Sequence, residues 1–128
     1  MILIIGGIFQ GKKEYVRSRF GLEVKDMADG SVCSYEELFR CRGIFHFHEW
    51  IRRMLQENRD LTNLAGRLEK ENPQILIISN ELGYGVVPVD SFDREYREAA
   101  GRICTRIARS AVSVHRVVCG IGTVIKDA

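Results

Sequence analysis

Residues 2–20 read ILIIGGIFQGKKEYVRSRF, and they contain the clearest structural pattern of the chain. Residues 2–5 are all apolar and mostly β-branched, which favours a short buried strand. The next eight residues, 6–13, begin with the spacing G-x-x-x-x-G-K, which residues 6–12 fill. Tyr15, Val16 and Phe20 then give the following segment one apolar side. The stretch therefore predicts a strand, a glycine-rich loop and a helix.

This order is the context of a phosphate-binding loop, in which backbone N–H groups converge on phosphate oxygens at a helix N-terminus. The side chain of Lys12 would reach the terminal phosphates of a nucleotide. Lys13 departs from the motif, because it stands where a Ser or Thr would hold Mg²⁺. The alternative is a plain tight turn, since Gly-Gly is common in turns. The expected nucleotide-binding residues are Gly6, Gly7, Ile8, Phe9, Gln10, Gly11, Lys12 and Lys13.

Composition indicates a globular protein of ordinary size. At 128 residues, the chain has the length of one domain, and we expect residues 1–128 to form a single nucleotide-binding domain. The net charge of +2 comes from interleaved acidic and basic residues, which argues against a nucleic-acid partner. We see no membrane-spanning run and no signal peptide, so we expect a cytoplasmic protein with no membrane partner. The four cysteines match no zinc pattern, and we expect them to be reduced.

Strands and helices are expected to alternate along the chain, which predicts a mostly parallel, three-layer α/β/α domain. The strands at 2–5 and 75–79 should be central, because both are apolar on both faces. The other expected strands are 44–47 and 114–119, with short edge strands at 22–24 and 123–126. Residues 26–32 are polar and contain Asp29-Gly30, so we expect a loop there. The expected helices are 12–20, a short one through Phe39 after a capping box at Ser34 and Glu37, a long one at 49–71, and 92 to about 111.

Two histidines and one glutamate are candidate functional residues. His46 and His48 alternate with bulky apolar residues, so a strand would carry both imidazoles on one face. Such a pair could serve as a metal or acid–base pair, or could simply occupy half-exposed strand positions. Glu81 follows a predicted central strand, and ligands of α/β sheets bind beyond the carboxyl ends of strands. Glu81 would then point toward the phosphate loop, although a loop carboxylate that caps a neighbouring helix fits equally well.

Residues 80–88 read NELGYGVVP and look like a family signature. They fit the N-E-[VL]-G-x-G-[IV]-V-P of the adenosylcobinamide kinase/adenosylcobinamide-phosphate guanylyltransferase family. Residues 94–101, REYREAAG, fit the R-x-[FY]-R-x-x-x-G that follows in that family. Residues 117–122, VVCGIG, and Lys126 resemble its carboxyl-terminal strand. Trp50 matches a tryptophan that the family places on its middle helix.

With the glycine loop, the resemblance covers roughly residues 1–20 and 74–126. It implies a P-loop NTPase-like fold and a homotrimer. Members of the family phosphorylate the aminopropanol hydroxyl of adenosylcobinamide with a nucleoside triphosphate, and then transfer GMP from GTP to that phosphate through a guanylylated histidine, on the way to cobalamin. The resemblance therefore implies ATP or GTP as a substrate and adenosylcobinamide as a partner molecule. The candidate catalytic residues are Lys12 and Glu81.

The chain departs from the family at the positions that carry its chemistry. The segment between the first and middle helices is shortened to residues 21–47, and no histidine in it has the family's H-x-x-x-R setting. We therefore transfer the nucleophile's role to neither His46 nor His48, and do not expect guanylyl transfer. The family's metal-side aspartate falls on Phe45. We expect no metal site, and nucleotide binding nearly independent of Mg²⁺.

Three functions fit these residues. The first is a shortened enzyme that still phosphorylates a corrinoid, using Lys12 and a nucleotide. The second is a degenerate, non-catalytic relative that binds nucleotide, corrinoid or a partner subunit. The third is an α/β scaffold whose glycine loop is only a turn. The third function predicts no nucleotide binding.

Overall fold

The computed structural model describes residues 1–7, 10–81 and 90–127 of the chain. These residues form a six-stranded sheet with the strand order β2-β3-β4-β1-β5-β6. The strands are β1 (Ile2–Gly6), β2 (Ala28–Asp29), β3 (Gly43–Phe45), β4 (Leu76–Asn80), β5 (Ser113–Val118) and β6 (Ile121–Asp127). The helices are α1 (Lys12–Phe20), α2 (Phe47–Gln56), α3 (Leu64–Glu71) and α4 (Ser91–Ser110), with 3₁₀ turns at Val24–Asp26 and Glu36–Phe39.

The expected central strands are confirmed. β1 pairs in parallel with both β4 and β5, and β4 lies between β3 and β1. All described strand pairs are parallel except β5 with β6, which is antiparallel. The apolar runs of β1 and β4 occupy these places because helices cover both faces of the sheet there.

Two clusters of buried side chains form the core, one on each face of the sheet. Leu3 and Ile77 point to the cluster that contains side chains of α2, α3 and α4. Ile4 and Ile78 point to the other cluster, where they pack with Val16 of α1. Successive residues of a strand face opposite sides, so the continuous apolar runs fill both clusters. The three-layer α/β, P-loop NTPase-like fold predicted from the sequence is confirmed.

The single long helix expected at 49–71 is wrong. α2 ends at Gln56 and α3 begins at Leu64, and Asn58 between them adopts the left-handed conformation with φ 58°. Asp60 then accepts a hydrogen bond from the backbone N–H of Thr62 at 2.9 Å. Asn and Asp favour such local turns, which compete with the helix.

The strand expected at 44–47 is also wrong in its second half. β3 ends at Phe45, His46 is left-handed with φ 54°, and Phe47 begins α2. Phe47 stacks on Trp50 with 5.8 Å between ring centroids, and both side chains are fully buried. The contact spans three residues, as on a helix, so core packing overrides the alternating pattern. His46 and His48 therefore do not share one strand face.

The remaining elements are partly as expected. α4 is confirmed, and Asp90 caps it by accepting a hydrogen bond from the N–H of Phe92 at 2.8 Å. The edge strand expected at 123–126 is confirmed as part of β6. The strand expected at 22–24 is wrong, because a 3₁₀ turn occupies Val24–Asp26 and β2 lies in the expected loop. Within the described ranges, no helix has the length and apolar content needed to cross a membrane.

Candidate functional site

The glycine loop joins β1 to α1, and the backbone requires glycine at Gly6 and Gly11. A Cβ on Gly6 would lie 2.5 Å from the carbonyl oxygen of Val117 in β5. Gly11 has φ 82°, a conformation that residues with side chains rarely adopt. Ile8 and Phe9, which we also expect to bind nucleotide, lie outside the described residues.

Lys12 lies across this loop. Its Nζ donates hydrogen bonds to the carbonyl oxygens of Gly7 at 2.6 Å and Gly6 at 3.3 Å. Only 8% of the residue's surface is exposed. Burial lowers the pKa of Lys12, the charge of Glu81 acts to raise it, and Lys13 lowers it further. A buried ammonium at the N-terminus of α1 is the arrangement that a phosphate group would neutralise.

Gln10 links the glycine loop to the turn between β5 and β6 through two hydrogen bonds, which we call the clasp. Its side-chain Oε1 accepts a hydrogen bond from the N–H of Cys119 at 2.6 Å, and its backbone oxygen accepts one from Gly120 at 2.8 Å. Gly120 also has a positive φ, 76°, and lies close to Gly11. The sequence gives no sign of this clasp, because the two partners are separated by 109 positions.

A cavity of about 390 Å³ opens beside the loop. Its volume is in the range of small-molecule sites. The walls come from the loop, the start of α1, and the carboxyl ends of β3 and β4, which is where ligands of α/β sheets bind. Its lining includes Gln10, Lys12, Lys13, Phe45, His46 and Asn80.

Lys13 and Phe45 face each other in this cavity. The Nζ of Lys13 lies 4.2 Å from the centroid of the Phe45 ring, a cation–π contact. An ammonium repels Mg²⁺ and a phenyl ring offers it no oxygen, so this pair does not fit the metal. Throughout the described part of the chain, no three His, Cys, Asp or Glu side chains lie close enough together to hold a metal ion.

His46 forms a dyad with Asp29. The Nδ1 of His46 lies 3.2 Å from the Oδ1 of Asp29. That same oxygen accepts hydrogen bonds from the N–H and the hydroxyl of Ser31, at 2.9 and 2.7 Å. Burial raises the pKa of Asp29, but the hydrogen bonds from Ser31 and His46 outweigh it and hold the pKa below its usual value. The carboxylate is therefore ionised at neutral pH. Asp29 gave no signal in the sequence, since it lies in an expected loop.

His48 has a different role from His46. Its Nδ1 accepts a hydrogen bond from the N–H of Asn80 at 3.3 Å, which ties α2 to the end of β4. Burial lowers the pKa of His48 to about 4, with smaller contributions from the nearby His46 and Lys12. His48 is therefore neutral at physiological pH. The ring centroids of His46 and His48 are 5.9 Å apart.

Glu81 is near the loop but is engaged elsewhere. Its backbone N–H donates to the carbonyl oxygen of Gly6 at 2.9 Å. Its carboxylate accepts two hydrogen bonds from the guanidinium of Arg116, at 2.8 and 3.2 Å. Glu81 is not in the described lining of the cavity. The rest of the family signature, residues 82–88, lies outside the described residues.

Comparison with known proteins gives a family match over much of the chain. The model of the family "Cobinamide kinase / cobinamide phosphate guanyltransferase" matches residues 39–125. The glycine loop lies outside the matched residues, so the loop and the family match are separate observations.

Two curated relatives are similar to part of the chain. This chain is 31% identical over 80 residues to the bifunctional adenosylcobalamin biosynthesis protein CobU of Escherichia coli (strain K12). The aligned region covers 61% of this chain and 44% of that protein. This chain is also 42% identical over 53 residues to the protein of the same name from Salmonella typhimurium. That aligned region covers 41% of this chain and 29% of the relative. The matched regions thus span less than half the length of either relative.

Proposed function

Because the chain belongs to the cobinamide kinase / cobinamide phosphate guanyltransferase family, we propose that it binds ATP or GTP at the glycine loop and transfers the terminal phosphoryl group to the hydroxyl of a cobinamide. The observation that carries this proposal is the position of Lys12. Its buried ammonium lies over the loop carbonyls at the N-terminus of α1, beside the cavity. The family match supports the corrinoid as acceptor.

The proposed binding follows from the loop's own charges. Backbone N–H groups and the dipole of α1 attract the phosphates, and Lys12 exchanges its carbonyl partners for phosphate oxygens. Phosphoryl transfer depends mainly on positioning and on neutralising charge, so a compact site of this kind can support it. Gln10 contributes by holding the loop on the β5–β6 turn.

Mg²⁺ takes no part in the proposed function. Lys13 supplies a fixed positive charge in the cavity, where the family's metal would need oxygen ligands. Nucleotide binding should then be nearly independent of Mg²⁺. The proposal includes no guanylyl transfer, because that step requires a nucleophilic histidine in a setting that residues 21–47 lack.

The second candidate is a relative that binds nucleotide or corrinoid without turnover. The Lys13–Phe45 contact favours it, since phosphoryl-transfer enzymes of this fold ordinarily use a metal ion. The pairing of Glu81 with Arg116 also favours it, because that carboxylate is engaged away from the cavity.

Calorimetric titration tests the proposal. ATP, GTP and cobinamide are each titrated into the purified protein with and without Mg²⁺, and the products are then examined for phosphorylated cobinamide. We expect nucleotide binding in both buffers, followed by slow phosphorylation. Binding without phosphorylated product would favour the second candidate. Absence of nucleotide binding would show that the loop is only a turn.

A further inference from the structure

The junction between β3 and α2 is strained and tightly held. His46 adopts φ 54° and ψ 41°, which is uncommon for a residue with a side chain. Strain of this kind persists only where the surroundings enforce it, and it concentrates at functional sites. Here the enforcing segment is 29–31. The N–H of Gly30 donates to the carbonyl oxygen of Phe45 at 2.8 Å, and a Cβ on Gly30 would collide with the carbonyl oxygen of His46.

We propose that His46 is the base that accepts the proton of the attacking hydroxyl during phosphoryl transfer, and that Asp29 positions it. The inference rests on the proposed function. Ionised Asp29 can only accept a hydrogen bond, so the Nδ1 of His46 carries the proton. The lone pair then lies on Nε2, the nitrogen that a base needs free. His46 lines the same cavity as Lys12, and 41% of its side chain is exposed.

The residues around His46 support its assignment as a base rather than as a metal ligand. His48 is buried, uncharged, and uses its Nδ1 to accept the N–H of Asn80. Asp29 is fixed by Ser31, and Arg53 holds the same segment to α2 by donating to the carbonyl oxygen of Gly30 at 2.9 Å. The dyad is therefore organised before any substrate binds, as a catalytic group requires.

The proposed step balances as follows. The hydroxyl oxygen of the acceptor forms a bond to the terminal phosphorus of the nucleotide. The bond between that phosphorus and the bridging oxygen breaks, and its electron pair leaves with the nucleoside diphosphate. The hydroxyl proton moves to Nε2 of His46 and is later released to water. Lys12 and Lys13 balance the charge on the phosphates.

The test compares single-turnover transfer from ATP to cobinamide with ATP affinity. His46→Asn is the first variant, because Asn tolerates the left-handed conformation. We expect transfer to slow by roughly 10²–10⁴-fold, the usual contribution of a general base, while ATP affinity stays unchanged. His46→Gly is the second variant, and added imidazole should restore part of its rate. Transfer at the parent's rate in His46→Asn would overturn the proposal, as would failure of imidazole to raise the rate of a folded His46→Gly protein.

Asp29 has a matched control elsewhere in the chain. Asp60 also accepts hydrogen bonds from the N–H and the hydroxyl of a residue two positions later, Thr62, but it contacts no histidine among the described residues. Asp29→Asn should slow transfer by about 10–100-fold, the range for groups that orient a functional histidine. It should also remove the Nδ1–H tautomer of His46 from nitrogen NMR spectra, whereas Asp60→Asn should change neither result. An unchanged tautomer in Asp29→Asn would contradict the positioning role.

Further outcomes separate this inference from the proposed function. A parent protein that binds ATP but phosphorylates no cobinamide overturns the assignment of a base and leaves nucleotide binding intact. A parent that binds no nucleotide defeats the proposed function itself. Covalent labelling by GTP that His46→Asn abolishes would make His46 a nucleophile, and would also overturn its role as a base.

Discussion

At the scale of single residues, nucleotide binding should depend on Lys12. We expect Lys12→Ala to weaken ATP or GTP binding by about 1–3 kcal/mol, because it removes charge-assisted hydrogen bonds to phosphate. Calorimetry measures the change. Lys126 is a matched control, since its Nζ also donates to two backbone carbonyls, those of Ala108 and Arg109. Lys126→Ala should leave nucleotide affinity unaltered. Equal affinity in the parent and Lys12→Ala would contradict the prediction.

The contact between Lys13 and Phe45 predicts the response to metal. The double variant Lys13→Ser/Phe45→Asp restores a hydroxyl and a carboxylate beside the phosphates, so its nucleotide affinity should rise with added Mg²⁺. The parent's affinity should be nearly insensitive to Mg²⁺, because the ammonium of Lys13 already provides the charge. The measurement is titration in buffers with Mg²⁺ and with a chelator. A strong Mg²⁺ requirement in the parent would contradict the prediction and would show that other groups bind the metal.

The buried His48 should make the folded protein less stable in mild acid. Burial lowers its pKa from 6.5 to about 4, so between these values the unfolded chain binds a proton that the folded protein does not. This contribution is fully present above pH 6.5 and is lost as the pH falls toward 4. The shift corresponds to about 3 kcal/mol. Denaturant titrations at several pH values should show a shallower decline in His48→Gln than in the parent. Parallel curves would contradict the assignment.

Single residues were predictable from the sequence only where the signal is local. The positions of Gly6, Gly11 and Lys12 follow from one motif. The partnership of Asp29 with His46 was not predictable, because it joins residues 17 positions apart through the strand-to-helix junction. A loop aspartate has no distinguishing pattern until folding brings a histidine to it.

At the scale of elements, replacing either of two glycines by alanine should change stability in opposite directions. A Cβ on Gly30 would collide with the backbone of His46, so Gly30→Ala should destabilise the protein by about 1–3 kcal/mol. Gly101 lies inside α4 and has open space around it, so Gly101→Ala should stabilise by about 0.5–1 kcal/mol. Thermal unfolding of both variants measures the difference. Destabilisation in both would indicate that the surroundings of Gly101 are more crowded than described.

The elements that were predicted correctly have strong intrinsic signals. β1 and β4 are uninterrupted apolar runs, and α4 has a capping aspartate and a regular apolar side. The incorrectly predicted elements lie where one apolar pattern continues across a turn between two elements. The apolar spacing of α2 resumes in α3, and it concealed the turn at Asn58.

At the scale of the whole molecule, assembly stays a prediction. The family resemblance implies a homotrimer. The bulky side chains of Phe47 and Trp50 in α2 offer no surface for it, because both are buried inside the chain. The described apolar side chains that are exposed include Ile121 and Ile125 of β6, an edge strand. We expect sedimentation equilibrium to give a trimer, and Ile121→Lys/Ile125→Lys to weaken it. A monomeric parent at micromolar concentration would contradict the prediction.

The sheet as a whole was predictable from the sequence to the level of its layers and its central strands. Its order was not, because pairing between β1 and β5 joins segments more than a hundred positions apart. The clasp between Gln10 and the β5–β6 turn follows from that pairing. The candidate site therefore combines a local motif with contacts that only the complete sheet provides.

The clasp of Gln10 also has a consequence for the time course of synthesis. A ribosome makes β1 and the glycine loop early, but β4 begins at Leu76, β5 begins at Ser113, and the clasp requires Cys119 and Gly120. Until β4 has emerged, β1 is an apolar segment without a partner strand, which is the kind of surface that chaperones protect. Nucleotide stabilises only a chain whose site has formed. We therefore expect nucleotide to assist folding only once the strands that hold the glycine loop have emerged.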